Sequence, residues 1–334
     1  MAHQVFRISK PDEYKKAGPT DLIELMPARG RHPLCLPKMT CQMLVYAMAS
    51  GESIHISGPT GAAKSALMEA LSIVPENFLI ICTDLGLAAR PLRVFPVEMS
   101  LFEAPGECFQ RRALENGSTY DEKSAIWKAL EQAAALSGAH HCAIWLKEIG
   151  RVHSSSVQGG LLNLIVKGDI TMPDGSVIDG ARISWVADSN YQAEQDSTHT
   201  LVTFDDALRR RYPIQLTMNY LSSEQEVTVL AHLLAGKGIS EEMIVCAVRL
   251  GTVIRRNRSQ GNLRSLAPVT IENMMVYLNM CRALSHLSRQ QVAEATLLGN
   301  AGVEDRKHVA AVMNEVFGLQ AEDMEDPTLG GNLF

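Results

Sequence analysis

Apolar and polar positions change period several times along the chain, and each change predicts an element. Residues 37–49 place Met39, Met43, Leu44, Tyr46, Ala47 and Met48 at mostly helical spacing, which predicts a helix. Residues 53–57 alternate, with Ile54 and Ile56 apolar, and read as a strand; 66–71 then reads as a helix. Residues 78–83 and 94–99 are both strand-like, although only one need be the sheet neighbour. Glu103-Ala104-Pro105-Gly106-Glu107 breaks the pattern, and 121–136 predicts a helix with Asp121 and Glu122 in its first turn. Residues 141–146 read as a short apolar strand. The His140-His141 pair at its start reads as a surface turn rather than a ligand pair. A helix over 157–166, a hairpin turning at Pro173-Asp174-Gly175, and strands at 182–187 and 214–217 complete the series. Strands alternating with helices predict a parallel α/β sheet.

From Tyr220 onward the pattern is helical only. Ser222 or Ser223 is placed to cap the first helix, and helices are expected at about 224–235, 240–256, 268–288 and 305–317. Four segments follow from these shifts. They are an irregular arm with one short strand over 1–34, an α/β unit over 35–219, an all-α unit over 220–318, and a tail over 319–334. The tail is acidic, holds Pro327 and Gly330-Gly331, and is expected to be disordered or to dock a partner.

The candidate chemistry lies between the strand at 53–57 and the helix after it, in Gly58-Pro59-Thr60-Gly61-Ala62-Ala63-Lys64-Ser65 followed by Ala66. Strand, glycine loop, Lys-Ser and helix is the phosphate-binding loop arrangement. Backbone N–H groups and a helix N-terminus offer donors to phosphate oxygens. Lys64 reaches the outer phosphates and the Ser65 hydroxyl ligates magnesium, so ATP and Mg²⁺ are the expected cofactors. The general pattern has glycine where Ala63 stands; if that position needs a positive φ, the Cβ costs ~1–2 kcal/mol.

Bulk properties narrow the choice. The 334 residues are 46% hydrophobic and 20% charged, enough for a sizeable core. A net charge of −6 and 5% aromatics argue against a nucleic-acid surface. No run of 18 apolar residues spans a membrane, and the opening residues lack the apolar stretch of a signal peptide, so a cytoplasmic location is expected. Seven cysteines, odd in number and without a C-x-x-C pair, fit scattered reduced thiols.

Together, the loop at 58–65, IWLKEIGR at 144–151, the TMPDG hairpin at 171–175 before RISWVADSN, and ALRRRYPI at 207–214 before YLSSEQE resemble AAA+ ATPases of the MoxR-like group. That group includes cobaltochelatase and Rubisco-activating motor subunits and midasin modules. The resemblance covers about residues 36–290. It implies an α/β P-loop NTPase core with a five-stranded parallel sheet, followed by a helical lid. It assigns Glu148 to polarising the attacking water, Asn190 to the sensor 1 position, and Arg211, with Arg210 as second candidate, to the finger given to a neighbouring subunit's nucleotide. The hairpin at 170–178 matches the insertion before sensor 1 that lines the ring pore. Lys147 stands where the magnesium-shell Asp belongs. Val269 stands where a sensor 2 Arg belongs, with Arg264 close enough to substitute.

Two expectations for Lys147 follow. In one, it pairs with Glu148 or Asp188, or replaces magnesium charge, and turnover is slow or absent. In the other, it swings away, and Ser65 and the phosphates hold the ion while Glu148 still works. The Arg209-Arg210-Arg211 run can also be a solvated or nucleic-acid-facing patch. The leading expectation is a ring-forming, hexameric ATPase that remodels a protein client in chaperone fashion, with a von Willebrand A domain protein as the implied client. The alternatives are a nucleotide-binding scaffold with weak or no hydrolysis and a nucleic-acid-associated defence motor.

Overall fold

The computed structural model describes residues 4–115, 118–152, 154–190, 205–263 and 265–318. They divide into two compact units, Gln4–Tyr220 and the chain from Leu221 onward.

The first unit opens with β1 (Val5–Arg7), α1 (Pro11–Lys16), β2 (Leu22–Leu25) and β3 (Leu34–Pro37). β1 and β2 pair in parallel, and β3 returns antiparallel to β2. This stretch is therefore not the irregular arm expected. Ile8, Tyr14, Ile23 and Leu25 are buried in the same core as Leu44 and Met48 of α2 (Lys38–Ser50). The alternation there is too short to read from sequence, and burial against α2 supplies the order that propensity does not.

The central sheet follows: β4 (Ile54–Gly58), then α3 (Lys64–Ile73) and α4 (Pro75–Asp84), then β5 (Leu92–Glu98). The run at 78–83 is helical, contrary to the strand reading. Pro75 opens the helix, Glu76 sits in its first turn, and Phe78, Ile81 and Cys82 form one buried stripe. A hairpin comes next, β6 (Gln110–Glu115) and β7 (Ser118–Lys123), before α5 (Ala125–Leu136). The helix expected from 121 thus starts four residues later. Ser124 caps it by accepting from the Trp127 N–H, and Asp121 and Glu122 belong to the hairpin.

β8 (His141–Lys147), α6 (Ser155–Leu161), the hairpin of β9 (Asp169–Thr171) and β10 (Val177–Asp179), β11 (Ile183–Asn190), α7 (Asp206–Arg209) and β12 (Ile214–Thr217) complete the unit. His141 is buried in β8 with Nε2 at 2.7 Å from the Ala88 carbonyl, so it is part of the strand and not a surface turn. The strand order is β12-β4-β11-β8-β5, and every pairing is parallel. Both faces are covered, as such sheets require. Cys142, Ile144 and Leu146 face Trp127 and Leu130 of α5, whereas Ala143 and Trp145 face the core shared with α2, α3 and α4.

The second unit is helical, as expected: α8 (Ser223–Leu233), α9 (Glu241–Ser259), α10 (Ile271–Ala283), α11 (Arg289–Ala293) and α12 (Arg306–Phe317). Ser222, Ser240, Thr270 and Ser288 cap four of them through their side chains. Among the described residues no single helix is long and apolar enough to cross a membrane. The tail at 319–334 lies outside the described residues.

Candidate functional site

The site is built where β4, β8 and β11 end side by side. β4 delivers the chain to Gly58, and β12 runs on beside it, with the Met218 N–H donating to the Ser57 carbonyl at 2.8 Å. A Cβ on Gly58 would stand 2.0 Å from the Met218 carbonyl oxygen, so only glycine fits. Gly61 turns the loop at φ +81°. Ala63 then takes φ +65° and ψ +19°, the left-handed conformation that glycine adopts without cost. Ala63 is also the residue before the first turn of α3 and offers no side-chain cap. The backbone donors of that turn are available to a ligand instead. Tyr220, which sequence reasoning did not single out, donates its hydroxyl to the Thr60 carbonyl at 2.6 Å.

Lys64 opens α3 and is buried. Its ammonium donates to the carbonyls of Gly58 at 2.8 Å and Pro59 at 2.9 Å, and to Asn190 Oδ1 at 2.9 Å. The structure therefore brings Asn190, at the end of β11, onto the lysine of the loop. Ser65 is exposed at the second position of α3.

Glu148 follows β8 and has a positive φ of +54°. A non-glycine residue there is strained by about 1–3 kcal/mol and needs fixing by its surroundings. Its N–H donates to Asp188 Oδ1 at 2.7 Å, and the next N–H, of Ile149, donates to the Asp188 carbonyl at 2.9 Å. Its carboxylate pairs with Arg151 at 3.1 Å. Asp188 is only 3% exposed. Burial raises its carboxyl above the ordinary range, opposed by the Glu148 N–H and the Lys64 charge.

Lys147 pairs with Glu98 of β5 and lies 5.2 Å from the centre of the Trp145 ring. The Glu98 hydrogen bond raises its pKa above the ordinary value. Of the two expectations, pairing with Glu148 or Asp188 is not what the side chain does; it turns to the neighbouring outer strand, where β5 and β8 place Glu98 directly opposite it.

Arg210 and Arg211 are exposed, and neither side chain has a partner among the described residues; Arg209 pairs with Asp206 at 3.7 Å. A polar chain runs behind them. Gln215 donates to the Tyr212 carbonyl at 2.8 Å and meets His55 Nδ1 at 2.9 Å, and His55 Nε2 meets Ser189 Oγ at 2.8 Å. It links the segment after α7 to the residue beside Asn190.

Arg264 lies outside the described residues. Val269 is buried in the helical core, and its carbonyl accepts from Arg255 at 2.9 Å. Arg255 also makes a buried pair with Glu226 at 2.6 Å. Among the described residues no three His, Cys, Asp or Glu side chains form a metal cage.

These features define a parallel α/β unit with a phosphate-binding-loop geometry, followed by a helical unit. No family model and no curated protein matches the chain. Among solved structures, the chain is similar to one in the complex of HORMA, CdnC and Trip13 from Escherichia coli MS115-1. The identity is 12% and the TM-score 0.45, over 76% of this chain and 78% of that one.

Proposed function

We propose that this chain binds ATP with magnesium in the loop at 58–65 and hydrolyses it as a ring-forming AAA+ ATPase of MoxR-like type. The observation that carries the reading is the convergence of three strand ends on one loop. Lys64 heads an uncapped helix, Asn190 touches its ammonium, and Glu148 is held in a strained conformation beside them. Phosphoryl transfer is positioning plus charge neutralisation, and this arrangement supplies both.

With nucleotide and metal bound, the loop amides and Lys64 would hold the phosphates and the Ser65 hydroxyl would hold the metal. Magnesium, when bound, neutralises developing phosphate charge. Glu148 accepts the proton of the attacking water, and Asn190 orients that water. Arg211, exposed and without a partner among the described residues, serves the nucleotide of an adjacent copy, with Arg210 as the second candidate. That role requires a homo-oligomer, for which we infer a hexameric ring acting on a protein client, a von Willebrand A domain protein being the best match to the group. Lys147, engaged with Glu98, favours a second reading, a nucleotide-dependent scaffold that turns over rarely.

Steady-state phosphate release from assembled protein separates the two. The ATPase reading expects release in the wild type and a fall of about 10²–10⁴-fold in Glu148→Gln. Equal, background rates in both leave the scaffold. Absence of nucleotide binding by the wild type ends both readings.

A further inference from the structure

Lys147 leaves the magnesium site without the carboxylate that normally stands at its position, yet a carboxylate lies one strand away. The register pairs Asp188 with Ile56 of β4 and Glu98 with Lys147, and Ala187 with Leu146 one step earlier. Ile56, Asp188, Lys147 and Glu98 therefore form one row across four strands. Alternation puts the row on the face of the sheet that packs against α3: Val186 and Trp145, two residues before Asp188 and Lys147, are buried in the α3 core. Lys147 thus stands between two carboxylates. It turns outward to Glu98 and leaves Asp188, which is nearer the loop strand by one strand spacing, ~4.8 Å.

We propose that Asp188 supplies the carboxylate of the magnesium shell from β11, in place of the one that Lys147 displaced from β8. This rests on the nucleotide-binding reading above. The residues fit such an ion. Magnesium at nucleotide sites keeps several waters and needs one or two carboxylates besides phosphate. Asp188 is a buried carboxylate within the electrostatic reach of Lys64, and Ser65 offers its hydroxyl from α3. Asp188 Oδ1 is committed to the Glu148 N–H, so the same side chain ties the ion's shell to the residue that activates water. Lys147 keeps its charge beside Glu98, where it neutralises the outer carboxylate.

The test is the magnesium dependence of binding of a fluorescent non-hydrolysable ATP analogue, in chelator and across a Mg²⁺ titration. Asp188→Asn preserves the acceptor for Glu148 and removes the charge. The expected result is metal-free affinity within about threefold of wild type and a rise of roughly 10–100-fold in the Mg²⁺ concentration needed for half-maximal enhancement. The double change Lys147→Asp with Asp188→Asn is expected to recover most of that loss. Unchanged Mg²⁺ dependence in Asp188→Asn overturns the proposal while leaving nucleotide binding intact. A wild type that binds no analogue in either condition overturns the nucleotide-binding reading as well. Should Asp188→Asn not fold, Lys147→Asp alone decides. A site already served by Asp188 gains less than about threefold in Mg²⁺ affinity, whereas a gain of roughly tenfold or more overturns the proposal.

Discussion

Replacing Ala63 by glycine isolates the strain held in the loop. Ala63 has φ +65°, and a Cβ in that conformation costs about 1–2 kcal/mol. Glycine also gains conformational freedom when unfolded, which costs about 0.5–1 kcal/mol, and the lost methyl removes some apolar contact. Ala70 is a matched control. It is also partly buried, packs against the same core cluster, and lies within the regular turns of α3. Ala63→Gly and Ala70→Gly share the entropic and methyl terms, so their difference is the strain. Ala63→Gly should be more stable than Ala70→Gly by about 1–2 kcal/mol. With an m-value of about 2 kcal/mol/M, their urea midpoints should differ by roughly 0.5–1 M. Tryptophan fluorescence reads the correct unit, because Trp127, Trp145 and Trp185 are the chain's three tryptophans and all lie in Gln4–Tyr220. Equal destabilisation by the two changes would refute the reasoning.

Two further outcomes are expected. Arg211→Ala should lower phosphate release by about 10³-fold or more with nucleotide affinity within about threefold, and Arg210→Ala should do far less; the reverse order moves the finger to Arg210. Burial, aided by the Arg209 charge, holds the His55 imidazole below its ordinary range, so folding favours the neutral ring. The unfolded chain then binds more protons below pH ~6.5, and stability is present above that value and lost as pH falls through it. His55→Gln should flatten this loss. His141 is shifted the same way by burial, so the quantity to measure is the wild-type minus variant difference in urea stability between about pH 7.5 and about pH 5.5. Parallel slopes would count against a neutral His55.

The loop was readable because its determinants are local: a strand, two turn glycines, Lys-Ser and a helix within twenty residues. The helical unit was readable for the same reason, with Ser222 capping α8. The segment 78–83 misled because FLIICT is apolar and partly β-branched, and its helical stripe emerges only when Pro75 and Glu76 are included. Asp121 and Glu122 misled because acidic residues before an apolar run mimic a helix start, whereas cross-strand pairing with Arg112 and Arg111 claims them. The partners around the site were not readable at all. Lys147 with Glu98, Asp188 with Glu148, and Tyr220 with Thr60 are separated by 49, 40 and 160 residues; the sheet register brings the first pair together, and the loops that follow the strand ends bring the other two.

Three bonds that Lys64 makes to described residues carry a further consequence. An ammonium has three protons, and among the described residues this one donates to two peptide oxygens and an amide oxygen at 2.8–2.9 Å. On the nucleotide-binding reading, an arriving phosphate does not meet a bare charge and has to displace these internal partners. Orthophosphate or a nucleoside monophosphate would bring few oxygens with which to recover that loss, whereas a triphosphate chain would also engage the amides along the loop. On the nucleotide-binding reading, these bonds set an entry threshold that favours a triphosphate over small anions.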